Sequence, residues 1–250
     1  MLGCKQKPLL EIQDLKFVNI DKNAIVLNQI DTTYLISDFK LYGYGRTDTF
    51  GYNVYDLRGN LIVEWRNNGG WGYNIDFSYD SNDLVIYKAY DTDFLRRFNI
   101  TYKYIPDSLL LYQYWSDGDP YCLFYFNEKG ILVNSLQFAY DDGNGSETRS
   151  VYNYDNSGKL IEKIDSGYDY RIYEMKFRRK IHGNEISSFN STKYFYTGQK
   201  PDSLITTYYI QDNPKNNYTS KTYFNESGLR YKTILMDTII TTYLHKSRGF

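Results

Sequence analysis

Cysteine and histidine are scarce in this chain of 250 residues, with two of each: Cys4 and Cys122, His182 and His245. Two cysteines, one of them close to the N-terminus, build no disulfide framework. No C-x-x-C or H-x-x-x-H spacing is present to hold zinc, and neither histidine belongs to a nucleophile motif such as G-x-S-x-G. A glycine-rich loop leading from a strand into a helix is missing, which removes the usual route to nucleotide binding. There is no run of about 18 apolar residues, so no transmembrane helix is encoded. The 29 basic and 30 acidic side chains leave a net charge of -1. That balance argues against nucleic acid as a partner, because a polyanion binder needs a basic stripe. No catalytic residue, metal site or cofactor is expected.

Aromatic residues are abundant, with 29 Tyr and 14 Phe, in a chain that is 42% hydrophobic and 24% charged. Such a composition folds, and tyrosine at this density favours strands whose faces are apolar but partly wet. One stretch organises the pattern: Tyr152-Asn153-Tyr154-Asp155-Asn156-Ser157-Gly158-Lys159-Leu160. Asp155 starts a type I turn by accepting backbone N–H bonds, and Gly158 supplies the positive φ that closes it. Strand residues flank the turn, so the unit is a hairpin with a glycine bulge. Clear copies lie at Tyr55–Leu61, Phe126–Leu132 and Phe224–Leu229. Tyr79–Leu84 lacks the glycine, Tyr104–Leu109 places proline in the turn, Tyr196–Leu204 has a longer loop around Gly198 and Pro201, and a degraded copy turns at His182-Gly183-Asn184. The spacing of roughly 19 to 28 residues is that of repeat architectures.

The stretch from Tyr152 to Leu160 resembles the Tyr-Asp (YD, or RHS-type) repeat, Y-x-Y-D-x-x-G-R-L, with Lys159 where arginine is usual. Partial matches cover about residues 50–235. The resemblance implies a coiling β-sheet of hairpins, which in long members wraps into a shell around another polypeptide; this chain is short for such a shell. It implies no catalytic residues. The expected fold is therefore all-β: tandem antiparallel β-hairpin repeats in one extended twisted or coiled sheet of roughly sixteen to twenty strands.

Residues 1–8 read as a tether, and residues 9–250 as one domain. Leu2-Gly3-Cys4 resembles the end of a bacterial lipoprotein signal, whose cysteine becomes the lipidated first residue, although the basic and long apolar parts of such a signal are not in the sequence. Ile12–Ile20, Ala24–Ile30 and Thr33–Leu41 read as strands that begin or cap the sheet, since end units of a repeat stack are atypical. Cys122, in a strand-like run, reads as a buried thiol. A membrane β-barrel needs one strand parity free of charge, and the neighbours Glu162 and Lys163 charge both.

Between the uniform turns lie variable connections: Asn67–Gly70, Asp91–Asp93, Ser116–Pro120, Asp141–Glu147, Asp165–Gly167 and Gln211–Asn217. In an antiparallel meander alternate turns fall on opposite rims, so uniform turns line one rim and variable loops the other. Binding concentrates on such loops. Trp65, Trp71, Tyr73, Tyr114, Trp115 and Tyr121 stand beside them and form the candidate ligand site, aromatic platforms for a sugar ring or a peptide. The acidic run from Asp141 to Glu147 departs from calcium-loop spacing and reads as a polar turn. The first functional reading is a non-enzymatic binding or scaffolding protein of the bacterial cell envelope, presenting its variable rim to a glycan or protein and touching the membrane only through Cys4. A second is a cytoplasmic protein-interaction factor of the immunity or antitoxin kind. A third is a glycoside hydrolase using paired carboxylates, which strands can bring within about 5 to 10 Å.

Overall fold

A computed structural model describes residues 10–38, 47–67, 72–91, 96–115, 120–141, 144–171, 186–209, 217–235 and 238–248. Sixteen strands form one antiparallel meander: β1 (Ile30–Asp38), β2 (Thr47–Tyr55), β3 (Leu61–Asn67), β4 (Gly72–Tyr79), β5 (Val85–Asp91), β6 (Arg96–Ile105), β7 (Leu110–Trp115) and β8 (Pro120–Phe126) in the first half. The second half continues with β9 (Leu132–Asp141), β10 (Asn144–Tyr154), β11 (Leu160–Arg171), β12 (Ile186–Thr197), β13 (Lys200–Tyr209), β14 (Tyr218–Phe224), β15 (Arg230–Leu235) and β16 (Thr238–Ser247). Every strand pairs with its sequence neighbours, and β16 pairs with β1, Thr33 opposite His245 and Leu35 opposite Tyr243, so the sheet closes into a barrel.

The turn chemistry follows the sequence. Asp155 Oδ1 accepts the N–H groups of Ser157 (2.8 Å) and Lys159 (3.0 Å), and Gly158 sits at φ +83°. Asp56, Asp80, Asn127 and Asn225 do the same in their turns. Where the glycine is missing, Asp83 takes the left-handed conformation at φ +61°. At the proline turn Leu109 takes it at φ +51°. The loop expected around Gly198 is tighter than its sequence suggests, because Thr197 already pairs with Lys200 and Pro201 lies within β13.

Tyrosine has a structural task in these hairpins. Beside six of the seven turns the ladder slips by one residue, a bulge that leaves backbone groups without ladder partners. Hydroxyls from the next hairpin reach four of the carbonyls at these slips: Tyr79 donates to Leu61 O (2.7 Å), Tyr102 to Val85 O (2.9 Å), Tyr154 to Leu132 O (2.7 Å) and Tyr196 to Leu160 O (2.8 Å). Four hairpins are thereby tied to the one before, and burial pushes the Tyr79 and Tyr154 phenols up to about 12.

A ring of sixteen strands is too wide for its own side chains to fill. Residues 10–29 lie across one mouth and correct the strand reading of this segment. Ile12–Asp14 is a 3₁₀ turn and Lys22–Leu27 an α-helix, α1. The β-branched Ile25 and Val26 favour strand locally, but helical phase buries Ala24 and Ile25 together against Ile30, Leu229 and Tyr55. Asn19 Oδ1 accepts the N–H of Lys22 (3.0 Å) at the start of α1. Upstream, Ile12, Leu15 and Val18 pack on Leu84, Leu111, Phe126 and Leu132, and Phe17 meets Phe124 and Phe126 edge to face. Lys16 pairs with the turn at Gly130, its N–H reaching Gly130 O at 2.7 Å and its O accepting from Leu132 N at 3.2 Å. A segment this short touches hairpins from both halves of the sheet only by crossing the ring.

Ion pairs fix the segment at its far end. Lys22 Nζ lies 2.6 Å from Asp83, the residue that replaces the glycine, and Arg58 also reaches Asp83 (2.8 Å). Partial burial pushes the Asp83 carboxyl up, but hydrogen bonds from Lys22 and Asn60 with the charges of Lys22 and Arg58 outweigh it, holding the group below the usual range. Asp21 pairs with Arg230 (2.8 Å), and there burial prevails over Arg230 and His245 and raises the Asp21 carboxyl. Side chains that meet the segment define the inner face; the other parity is outer, and carries Asp76, Arg97, Lys103, Arg149, Glu162, Lys193, Lys221 and Lys232.

Seven hairpin turns share the rim closed by the segment, and the other strand ends face the opposite rim. The connections between those ends lie outside the described residues, as do His182-Gly183-Asn184 and Cys4. Two of the expected loops are largely strand: within Asp141–Glu147, Asp141 ends β9 and residues 144–147 begin β10, and Asp165–Gly167 runs through β11. Gly167 pairs there with Thr148 and Ser188, and Asp165 is held by Lys163 and Ser150.

Candidate functional site

The loop-rim half of the barrel brings two of the six candidate aromatics to one inner wall. Tyr73 on β4 points inward, its hydroxyl 3.4 Å from Glu64 Oε1 on β3. Tyr121 also points inward, because the ladder slips between Gln113 and Tyr114 and turns it to the same side as Cys122. There Gln137 donates to the Tyr121 hydroxyl (2.8 Å), and Lys88 on β5 stands 5.5 Å from the ring centres of both Tyr121 and Phe77. Strands β5 and β8 are separated by about 14 Å along the sheet, so curvature brings Lys88 and Tyr121 together. Tyr90, edge to face with Phe98 at 5.9 Å, lies on the same wall.

The electrostatics of this wall are those of a poorly hydrated surface. Burial lowers the Lys88 ammonium, against the pull of Glu64 and Cys122. Burial likewise raises the phenols of Tyr73 and Tyr90, with Glu64 adding to each, and lifts Tyr121 to about 12. Glu64 is paired with Arg66 (3.3 Å). Gly51 faces Arg66, and a Cβ there would stand 2.8 Å from its side chain, so the absent side chain makes room for the guanidinium. Cys122 is buried, as expected, with its thiol pushed up to about 12 by burial.

The remaining candidates stand elsewhere. Trp65 faces outward on β3, stacked on Tyr52 at 5.4 Å and 17°. Tyr114 is outward on β7, stacked on Tyr112 at 5.9 Å and 14°. Trp115 pairs with Ile100 in the ladder, but its side chain, like the whole of Trp71, falls outside the described residues. Sequence reasoning passed over Glu64, Arg66, Lys88 and Tyr90; the usable signal was charge at alternate strand positions, Glu64 and Arg66 flanking outward Trp65.

For hydrolysis the inner wall offers acids already matched to bases: Glu64 with Arg66, Asp165 with Lys163 (2.8 Å) and Asp21 with Arg230. Asp21 has the raised carboxyl of a general acid, but the groups acting on it are Arg230 and His245 rather than a second carboxylate. Among the described residues no cluster of three or more His, Cys, Asp or Glu is placed to hold a metal. No protein-family model matches the chain, and no curated protein matches it.

Proposed function

We propose that this protein is a non-enzymatic binding protein of the bacterial cell envelope, built from YD-type hairpins and held by lipid on Cys4. Its ligand, a glycan or protein, enters at the loop-bearing mouth and rests on the wall of Tyr73, Tyr90, Lys88 and Tyr121. One observation carries this reading: the N-terminal segment lies across the turn-rim mouth, leaving the loop-rim mouth facing away from it. Cys4 precedes Leu10 by six residues, at most about 20 Å of extended chain, so an anchor at Cys4 turns the loop rim outward. The charged outer wall supports an aqueous exterior rather than a lipid belt.

Mass spectrometry of the N-terminus from native cells tests the anchor. A lipidated Cys4 is the expected result; an intact Met1 or an unmodified Cys4 refutes the envelope reading and sends the search to a cytoplasmic partner. Replacing Trp71 or Trp115 with Ala tests the loop rim, with lost ligand binding and an unchanged fold expected.

A further inference from the structure

Beneath the N-terminal segment, away from the loop-rim wall, lies a cavity of about 360 Å³. Residues 17–21 line one side, and Phe124, Tyr152, Lys163, Tyr194 and Arg230 line the other. Its volume falls within the roughly 300–1,000 Å³ of small-molecule sites. We propose that it binds one or two rings of an uncharged saccharide.

Charge argues against anionic and cationic ligands. Lys163 already faces Asp165 at 2.8 Å, and Arg230 faces Asp21 at 2.8 Å. An anion would compete with carboxylates for cations already matched, and a cation would meet the reverse, each leaving one partner of a pair unmatched. A neutral ligand disturbs neither pair. The paired side chains are not sealed: Lys163 and Arg230 keep 30% and 36% of their surface, Asp165 and Asp21 keep 21% and 26%. At this position in the barrel that surface supplies donors and acceptors side by side, which suits hydroxyls that both donate and accept.

Rings supply the apolar half of the match. Phe124, Tyr152 and Tyr194 come from β8, β10 and β12, and Phe17 of the segment stands edge to face with Phe124. The C–H face of a pyranose ring has such rings as its natural partner. Tyr152 is oriented by Ser135 (3.3 Å) and by Lys163 Nζ, 5.8 Å from its ring centre. Tyr194 lines the cavity within the field of Arg230, and in the proposal its hydroxyl meets a sugar hydroxyl.

Isothermal titration of the full chain with maltose, cellobiose and chitobiose, and with the matching tetrasaccharides, tests the proposal. At least one disaccharide binds; Tyr194→Phe weakens it roughly three- to tenfold through one lost hydrogen bond, and Tyr152→Ala weakens it further. Tyr112→Phe, on the outer face of β7, leaves it unchanged. Equal binding of the tetrasaccharide identifies a chain end as the ligand, and binding of the disaccharide alone identifies a free sugar; both support the site. The proposal is overturned if no probe binds at millimolar concentration, if Tyr194→Phe binds like the parent, or if only Tyr73→Phe and Tyr121→Phe lose affinity. That last pattern would move the sugar to the loop-rim wall, leaving the proposed function intact. Tyr194→Phe removes one atom, so it serves even where Tyr152→Ala does not fold.

Discussion

Gly130 and Gly158 occupy the same place in two copies of one turn, at φ +72° and +83°, and their replacement by alanine separates turn strain from docking of the N-terminal segment. An added Cβ at Gly158 meets nothing within 4 Å, so Gly158→Ala costs only the left-handed conformation, about 1 kcal/mol. For a chain of this size that is a fall in Tm of about 2–4 °C. At Gly130 the same Cβ would stand 2.5 Å from Asp14 O, a backbone atom. The segment must move, and the bonds Lys16 N to Gly130 O and Leu132 N to Lys16 O go with it. Each is worth about 0.5–1.5 kcal/mol, and loosened packing of Ile12 and Leu15 adds to them, so Gly130→Ala should cost roughly 2–4 kcal/mol beyond the turn strain. Urea unfolding followed by tryptophan fluorescence measures the difference. Limited trypsin digestion with mass analysis asks whether Lys16 and Lys22 become cleavable in Gly130→Ala alone. Equal destabilisation and equal cleavage in the two variants would refute the docked segment.

Asp83→Asn removes the ion pairs to Lys22 and Arg58, and should cost about 1 kcal/mol and speed hydrogen exchange in α1. Because the folded Asp83 carboxyl lies below its ordinary value, its contribution is present above about pH 3.9 and lost as pH falls through the folded value. Acid should therefore loosen the segment in the parent, with that component absent in Asp83→Asn. Asp21, raised by burial, runs oppositely: its contribution is full at low pH and lost as pH rises, so an Asp21→Asn control separates the two. Spectrophotometric titration should find Tyr79 and Tyr154 ionising near 12; the stability they lend is complete below about pH 10 and lost as pH rises through 12. Tyr154→Phe leaves Leu132 O without that partner and should cost about 1 kcal/mol, read by urea unfolding. Cys122, buried with its thiol near 12, should resist alkylation at pH 8 until urea unfolds the chain.

The hairpins and their common rim were legible in the sequence, because they rest on local chemistry. Asp155 bonds N–H groups two and four residues on, Gly158 supplies the positive φ, and both effects act within one turn. The burial of Cys122 was legible as a small thiol in a strand-like run, whereas the inward turn of Tyr121 rests on the slip beside Gln113. Contacts between residues far apart in sequence decided the rest. Closure depends on the pairing of Thr33 with His245, 212 residues apart, and no local signal encodes that register. Residues 22–27 are helical because Leu229 and Tyr55 accept Ala24 and Ile25 on one helical face, although their local propensity is extended. The candidate site divided for the same reason: Trp65 and Tyr114 looked equivalent to Tyr73 and Tyr121 in sequence. Only a closed ring gives the sheet an inside, and only the inside brings Tyr121 against Lys88.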